Sequence, residues 1–255
     1  MKNAFELRGD THMTQHNIGR RLFLKHTAMG SGAALLAANL SAQTPSPTGT
    51  ATCAGRAAPR EDIEWVNVWI TGADKSDQPR VLLIGDSITQ SYYGSVEKRL
   101  QGKARVARMT SSRCIGDPVL LKEIDLLLCQ YAFSVIHFNN GLHGWGTNEA
   151  DFAAYFPEYL AAIRKGNPNA KLVWGRITPL RTAGKLAEYR DSNPRVIARN
   201  AIADRLISQA GIPVTDLYGA VEGHPEFYSA DGTHMNAQGV EALAAAVASG
   251  IEKRL

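Results

Sequence analysis

Residues 80–87, Arg-Val-Leu-Leu-Ile-Gly-Asp-Ser, run from a charge through four consecutive aliphatic side chains to a glycine. A run this short, unbroken by polar residues and closed by Gly, predicts a strand covered on both faces, as in parallel sheets flanked by helices. The same rhythm continues outward. Short apolar runs at 104–109, 133–138, 171–174 and 212–216 alternate with helical patterns at 91–100, 118–129, 149–164, 195–209 and 237–255. This alternation predicts an α/β fold, a three-layer sandwich around a five-stranded parallel, flavodoxin-like sheet. In such sheets the site lies at the carboxyl ends of the strands.

The 255 residues fit one domain of ordinary size or two small ones. With 44% hydrophobic and 20% charged residues the composition is globular, which excludes disordered and collagen-like chains. The formal net charge is +4, but residues 1–42 hold Lys2, Arg8, Arg20, Arg21 and Lys25 against Glu6 and Asp10. Beyond residue 42 the balance is 23 basic to 22 acidic residues, so no basic surplus argues for nucleic acid. The three cysteines (Cys53, Cys114, Cys129) form no CxxC pair, and are too few for a disulfide scaffold. The histidines after residue 42 (His137, His143, His224, His234) show no metal-ligand spacing. Neither a metal nor an organic cofactor is expected.

The N-terminus reads as an address. Gly19-Arg20-Arg21-Leu-Phe-Leu-Lys25 precedes a small, apolar stretch to about Leu40 and then Ser41-Ala42. A charged region, a short apolar region and small residues at a cleavage point predict an export signal over 1–42. The arginine pair resembles the bacterial twin-arginine type. The apolar stretch is roughly 13 residues, short of the ~20 that span a bilayer, so no stable membrane span is expected after processing. Residues 43–61 are rich in Thr, Pro, Ala and Gly without apolar period and read as a flexible linker. The folded domain is expected over 62–255, in a periplasmic or extracellular setting.

Chemistry is expected at three places. Gly85-Asp86-Ser87-Ile88-Thr89 sets Ser87 between a strand end and a helix N-terminus, where backbone N–H groups favour developing negative charge. Capping by Asp86 and Ser87 is the plainer alternative. Asp231-Gly-Thr-His234 precedes the last helix, and His234 is suited to serve as base for a serine hydroxyl while Asp231 holds its ring. The plainer alternative is a turn. His137-Phe-Asn139-Asn140-Gly141-Leu142-His143-Gly144-Trp145 follows the third strand, and its amides and glycines can supply oxyanion donors or merely a turn.

In this order the three stretches resemble the SGNH hydrolase (GDSL esterase) family over about residues 79–255. Gly85-Asp86-Ser87 matches the family's nucleophile block. Ser112-Arg113-Cys114-Ile115-Gly116-Asp117 looks like its second block, whose glycine donates a backbone N–H, and Asp231-x-x-His234 matches its last. The third block departs from the common Gly-x-Asn-Asp, since an ungapped register puts Gly141 at the asparagine. Phe138-Asn-Asn-Gly-Leu-His143 is closer to related carbohydrate O-acetylesterases. The resemblance implies an exported serine esterase with a Ser87–His234–Asp231 triad. It implies an oxyanion hole of the Ser87 N–H, the Gly116 N–H and the Asn140 side chain, with Asn139 and His143 as rivals. The expected partner is a small-molecule or polysaccharide ester, with acetylated carbohydrate favoured. The alternatives are a lipase, lysophospholipase or thioesterase, and a non-catalytic carbohydrate-binding module on the same fold.

Other residues are set aside. His137 alternates with Val135 and is expected in the core. Phe152, Tyr155 and Phe156 are expected to face the core. Arg176 is read as a solvated strand-end arginine, and His224 is given no role. Cys114 and Cys129 are expected at opposite ends of the 118–129 helix, ~18 Å long, too far apart for a disulfide.

Overall fold

The structure is a computed structural model that describes residues 58–255. The expected signal at 1–42 and most of the linker lie outside the described residues. The linker's last residues make specific contacts: Ala58 is buried and Arg60 pairs with Asp117 at 2.8 Å.

The elements run β1 (Val66–Ile70), β2 (Arg80–Gly85), α1 (Ser87–Arg99), β3 (Arg105–Ser111), α2 (Pro118–Leu128), β4 (Val135–Phe138), α3 (Glu149–Gly166) and β5 (Lys171–Gly175). They continue with β6 (Arg181–Thr182), β7 (Lys185–Tyr189), α4 (Asn193–Gln209), β8 (Val214–Thr215), α5 (Gly219–Glu222) and α6 (Ala237–Glu252). Strands β3-β2-β4-β5-β8 are parallel neighbours in that order, the flavodoxin-like order expected. Helices α1 and α6 pack together against one face, while α2, α3 and α4 form a contiguous row on the other.

The sheet has six strands rather than five, and it is mixed. β1 lies antiparallel on β3 at the edge, with Val66 opposite Ser111 and Ile70 opposite Ala107. Val66, Val68 and Trp69 remain exposed, so no buried face imposed a period-two pattern on this strand. The β6–β7 hairpin was also not foreseen, because β6 is only two residues long.

Burial explains the legible strands. Val81, Leu82, Leu83 and Ile84 of β2 and all of β4 are buried, as expected of central strands with helices on both faces. Phe138, Phe156, Tyr159 and Trp174 interlock edge to face, with centroids 5.2–6.4 Å apart. Phe152 and Phe156 are core residues as expected, but Tyr155 is half-buried and lies against Gly116, where a Cβ would meet the ring at 2.8 Å.

Cys114 is buried ahead of α2, Cys129 caps its far end exposed, and both are free thiols. A maleimide is therefore expected to label Cys129 in the folded protein and Cys114 only after denaturation. Peptide mapping checks this, and a Cys114–Cys129 cross-link would contradict the placement of α2.

Candidate active site

The chain leaves β2 for β3 on one side and continues to β4 on the other, so the sheet's switch point lies between β2 and β4. Ile84 pairs with Phe138 and its carbonyl accepts the Asn139 N–H at 2.9 Å. The segments after β2, β3 and β4 therefore leave the sheet side by side, and they carry Ser87, Gly116 and Asn140.

The exit from β2 requires glycine. A Cβ on Gly85 would fall 2.0 Å from Thr89 Oγ1, so the first turn of α1 folds tightly back on the strand end. Asp86 caps α1, its Oδ1 accepting the Ile88 N–H at 2.9 Å. Capping is thus the role of Asp86, while Ser87, the first helical residue, keeps its hydroxyl free for other work. Asp86 is fully buried and its Oδ2 has no hydrogen-bond partner among the described residues. Burial pushes this carboxyl up from the usual range, against the opposing pull of His143 and His234 and of the cap N–H groups.

Ser87 Oγ lies 2.9 Å from His234 Nε2, and His234 Nδ1 lies 2.6 Å from Asp231 Oδ2. The other carboxylate oxygen of Asp231 accepts the Thr233 and His234 N–H groups at 2.8 and 2.9 Å. Burial opposes ionisation of Asp231, but the bonds from the His234 ring and the two N–H groups outweigh it and hold the carboxyl below its ordinary range. The turn depends on Gly232, at φ +69°, where a Cβ would come within 2.2 Å of the Arg181 carbonyl oxygen. The β6–β7 hairpin supports it: the Arg181 and Gly184 N–H groups donate to Gly232 and Ala230 carbonyls, and Arg190 donates to the Asp231 carbonyl at 2.7 Å. The side chains of His234 and Asp231 are 44% and 50% exposed, so the relay opens directly to solvent.

The two asparagines have different surroundings. Asn139 turns into the sheet and donates to the Gly175 carbonyl at 2.7 Å. Asn140 bridges to the segment after β3, its Oδ1 accepting the Ile115 N–H at 3.1 Å and its Nδ2 donating to the Arg113 carbonyl at 2.8 Å. One amide proton of Asn140 remains for another acceptor. The Gly116 N–H, next to this bridge, donates to no group among the described residues. His143 instead pairs with Glu61 at 2.8 Å.

Residues not singled out from sequence hold this frame. Arg199 of α4, almost fully buried, donates to the carbonyls of Gly141, His143, Gly144 and Thr147. Arg195, one turn earlier, donates to those of Trp145 and Thr147 and pairs with Glu149. Spacing alone places the two arginines on one helix face, but nothing in it tells a buried arginine from a solvated one. Arg176, read as solvated, is tied to Asp204 and Asp216 at 3.0 and 3.1 Å. His137 is a core residue as expected, and His224 pairs with Glu226 on the surface. Among the described residues no cluster of three His, Cys, Asp or Glu side chains is placed to hold a metal, and no helix is long and apolar enough to cross a membrane. A larger cleft of about 1060 Å³ lies at the opposite end of the strands, by Arg164, Lys171 and Arg254, remote from Ser87.

The sequence pattern of the GDSL-like lipase/acylhydrolase family matches residues 83–242, from within β2 into α6. The chain belongs to this family. It is a hydrolase of the GDSL/SGNH type, and ester substrates follow from that membership. No curated protein sequence matches the chain. Among solved structures, a GDSL-like lipase from Bacteroides thetaiotaomicron is 17% identical, covering 69% of this chain and 89% of its own, at a TM-score of 0.54. An aryl esterase from M. smegmatis is 14% identical, covering 69% of this chain and all of its own, at a TM-score of 0.57. An alpha/beta hydrolase from the metagenome of Lake Arreo, Spain, is 14% identical, covering 68% and 95%, at a TM-score of 0.54. At these identities the shared property is the fold, and it is the GDSL hydrolase fold expected.

Proposed function

We propose that this GDSL hydrolase is an exported serine esterase that removes acetyl groups from carbohydrate. The observation that carries the catalytic part is the relay of 2.9 and 2.6 Å hydrogen bonds from Ser87 through His234 to Asp231. In the proposed mechanism His234 Nε2 takes the Ser87 proton as Oγ attacks the ester carbonyl. Asp231 holds the Nδ1–H tautomer and stabilises the imidazolium. The Ser87 N–H, one of the unpaired donors of a helix start, receives the oxyanion together with the Gly116 N–H and Asn140 Nδ2. His234 then gives its proton to the leaving alcohol, and water, activated by the same ring, releases the acid from Ser87. Asn140 is favoured because its amide is bonded to Arg113 and Ile115 on the segment that carries Gly116, whereas Asn139 turns away to the Gly175 carbonyl and His143 is held by Glu61.

The exposure of His234 and Asp231 supports a bulky alcohol, since a polymer can reach the serine without threading an enclosed passage. A panel of 4-nitrophenyl esters from acetate to decanoate, with acetylated xylan beside it, tests this. The expected result is a maximum at acetate and release of acetate from xylan. A maximum at long chains would make the protein a lipase or thioesterase instead.

Export rests on Arg20-Arg21 ahead of Leu22-Phe23-Leu24. Arg20→Lys with Arg21→Lys is expected to leave a precursor in the cytoplasm, because a receptor reading the guanidinium pair does not accept ammonium groups. Fractionation followed by immunoblotting checks it, and normal accumulation outside the cytoplasm would point to the general secretory route.

A further inference from the structure

A second histidine–carboxylate pair stands on the loop that carries Asn140. His143 Nδ1 lies 2.9 and 2.8 Å from the two carboxylate oxygens of Glu61, and Glu61 Oε1 also accepts the Gly144 N–H at 3.2 Å. A carboxylate can only accept, so Nδ1 donates in this pair and Nε2 is left for a further partner. Nε2 has no hydrogen-bond partner among the described residues, and the side chain is 18% exposed, within reach of solvent. An imidazole with one nitrogen fixed by a carboxylate keeps the other for a further hydrogen bond.

Fastening the chain ahead of β1 does not account for the pair, because that segment has its own anchors. Arg60 binds the buried Asp117 at 2.8 Å, and Trp65 exchanges hydrogen bonds with Ser112, its N–H donating to Oγ at 2.9 Å and its carbonyl accepting the Ser112 N–H at 3.1 Å. The pair instead borders a cavity of about 490 Å³ lined by Glu61, Asp62, Leu142, Gly144 and Trp145 among others. An indole, an imidazole, two carboxylates and the Arg60 guanidinium around one cavity match a sugar ring. The ring's C–H face packs on flat aromatic surface, and its hydroxyls donate to carboxylate and ring nitrogen. His143 follows Asn140 by three residues on the same loop. Leu142, the residue before it, lines a small cavity together with Ile88 and Thr89 of α1, the helix that Ser87 opens.

We propose that His143, oriented by Glu61, together with the cavity beside Trp145 forms the subsite for the sugar portion of the ester, with Nε2 hydrogen-bonded to a ring hydroxyl. This rests on the esterase reading above and adds the residues that would choose the alcohol. Two acetates that differ only in the alcohol isolate the effect, since the acyl half is common to both.

The experiment measures kcat/KM on acetylated methyl xyloside and on 4-nitrophenyl acetate for wild type, His143→Phe, Glu61→Ala and Glu61→Gln, with Tm for each. His143→Phe and Glu61→Ala are expected to lower the ratio of sugar to aryl activity about tenfold or more, chiefly through KM on the sugar ester. Glu61→Gln keeps an acceptor for Nδ1–H and should retain most of the ratio. A ratio unchanged within twofold in His143→Phe, with activity retained, overturns the proposal. So does a parallel fall of both activities and Tm, the mark of a merely structural pair. Wild type that cleaves the aryl ester and ignores the sugar ester overturns the subsite but leaves the esterase standing. Wild type that cleaves neither overturns the esterase reading itself.

Discussion

Ser87→Ala is expected to fold as the native chain does and to lose ester turnover by roughly three orders of magnitude or more. The fold should survive because the hydroxyl's hydrogen bond goes to His234, on a partly exposed ring, so its removal strands no buried group. The cap of α1 is made by Asp86 and is untouched. Under the proposed mechanism the activity should collapse because the variant keeps His234 and the oxyanion donors but has no atom to carry the acyl group. Asp231→Asn is expected to cost less than Ser87→Ala. The amide still accepts the Thr233 and His234 N–H groups at one oxygen, but it presents an N–H₂ to Nδ1 and so favours the wrong tautomer. A fluorophosphonate should label wild type at Ser87 and leave Ser87→Ala unlabelled. Turnover above about a tenth of wild type in Ser87→Ala would remove the serine from the mechanism.

How much of this was legible follows from where each residue sits. β2 and β4 announce themselves because burial on both faces forces unbroken apolar runs. β1 does not, because an exposed edge tolerates Asn67 and Trp69 as readily as Val66 and Val68. Ser87, Asp231 and His234 were legible as candidates because each lies within two residues of a glycine whose tight turn is written in local sequence. The third block was ambiguous for a physical reason. Asn139 and Asn140 are adjacent and chemically identical, and only the pleat of β4 decides which amide turns toward Gly175 and which toward Ile115. Glu61, Arg195 and Arg199 carried no local signal, since their partners lie 46 to 83 residues away and a tertiary contact at that range has no periodicity to read.

The other large expected effect lies away from the site, at His137. This ring is fully buried in β4, and neither nitrogen has a hydrogen-bond partner among the described residues. Gly175 makes room for it: a Cβ there would sit 2.7 Å from His137 Cε1. Burial among apolar groups lowers its pKa from 6.5 to about 3, so the folded protein holds it neutral while the unfolded chain protonates it. Between those two values the unfolded state binds the extra proton, so stability rises with pH and is lost on acidification. From pH 7 to pH 4 this one ring should withdraw roughly 3 kcal/mol, at 1.36 kcal/mol per pH unit below the unfolded value. Asp86 works in the opposite sense, since its raised pKa lets the folded state keep a proton that the unfolded chain gives up. The net acid profile therefore mixes both groups, and the difference between two proteins separates them. His137→Leu replaces the ring with an apolar side chain in a space already cleared by Gly175. It also removes the unpaired ring nitrogens, which offsets lost packing at neutral pH. Urea unfolding at pH 7, 5.5 and 4 should show wild type falling more steeply with acid than the variant, the gap widening by roughly 3 kcal/mol at the lowest pH. Parallel profiles for the two proteins would mean that His137 is protonated, or reached by water, inside the fold.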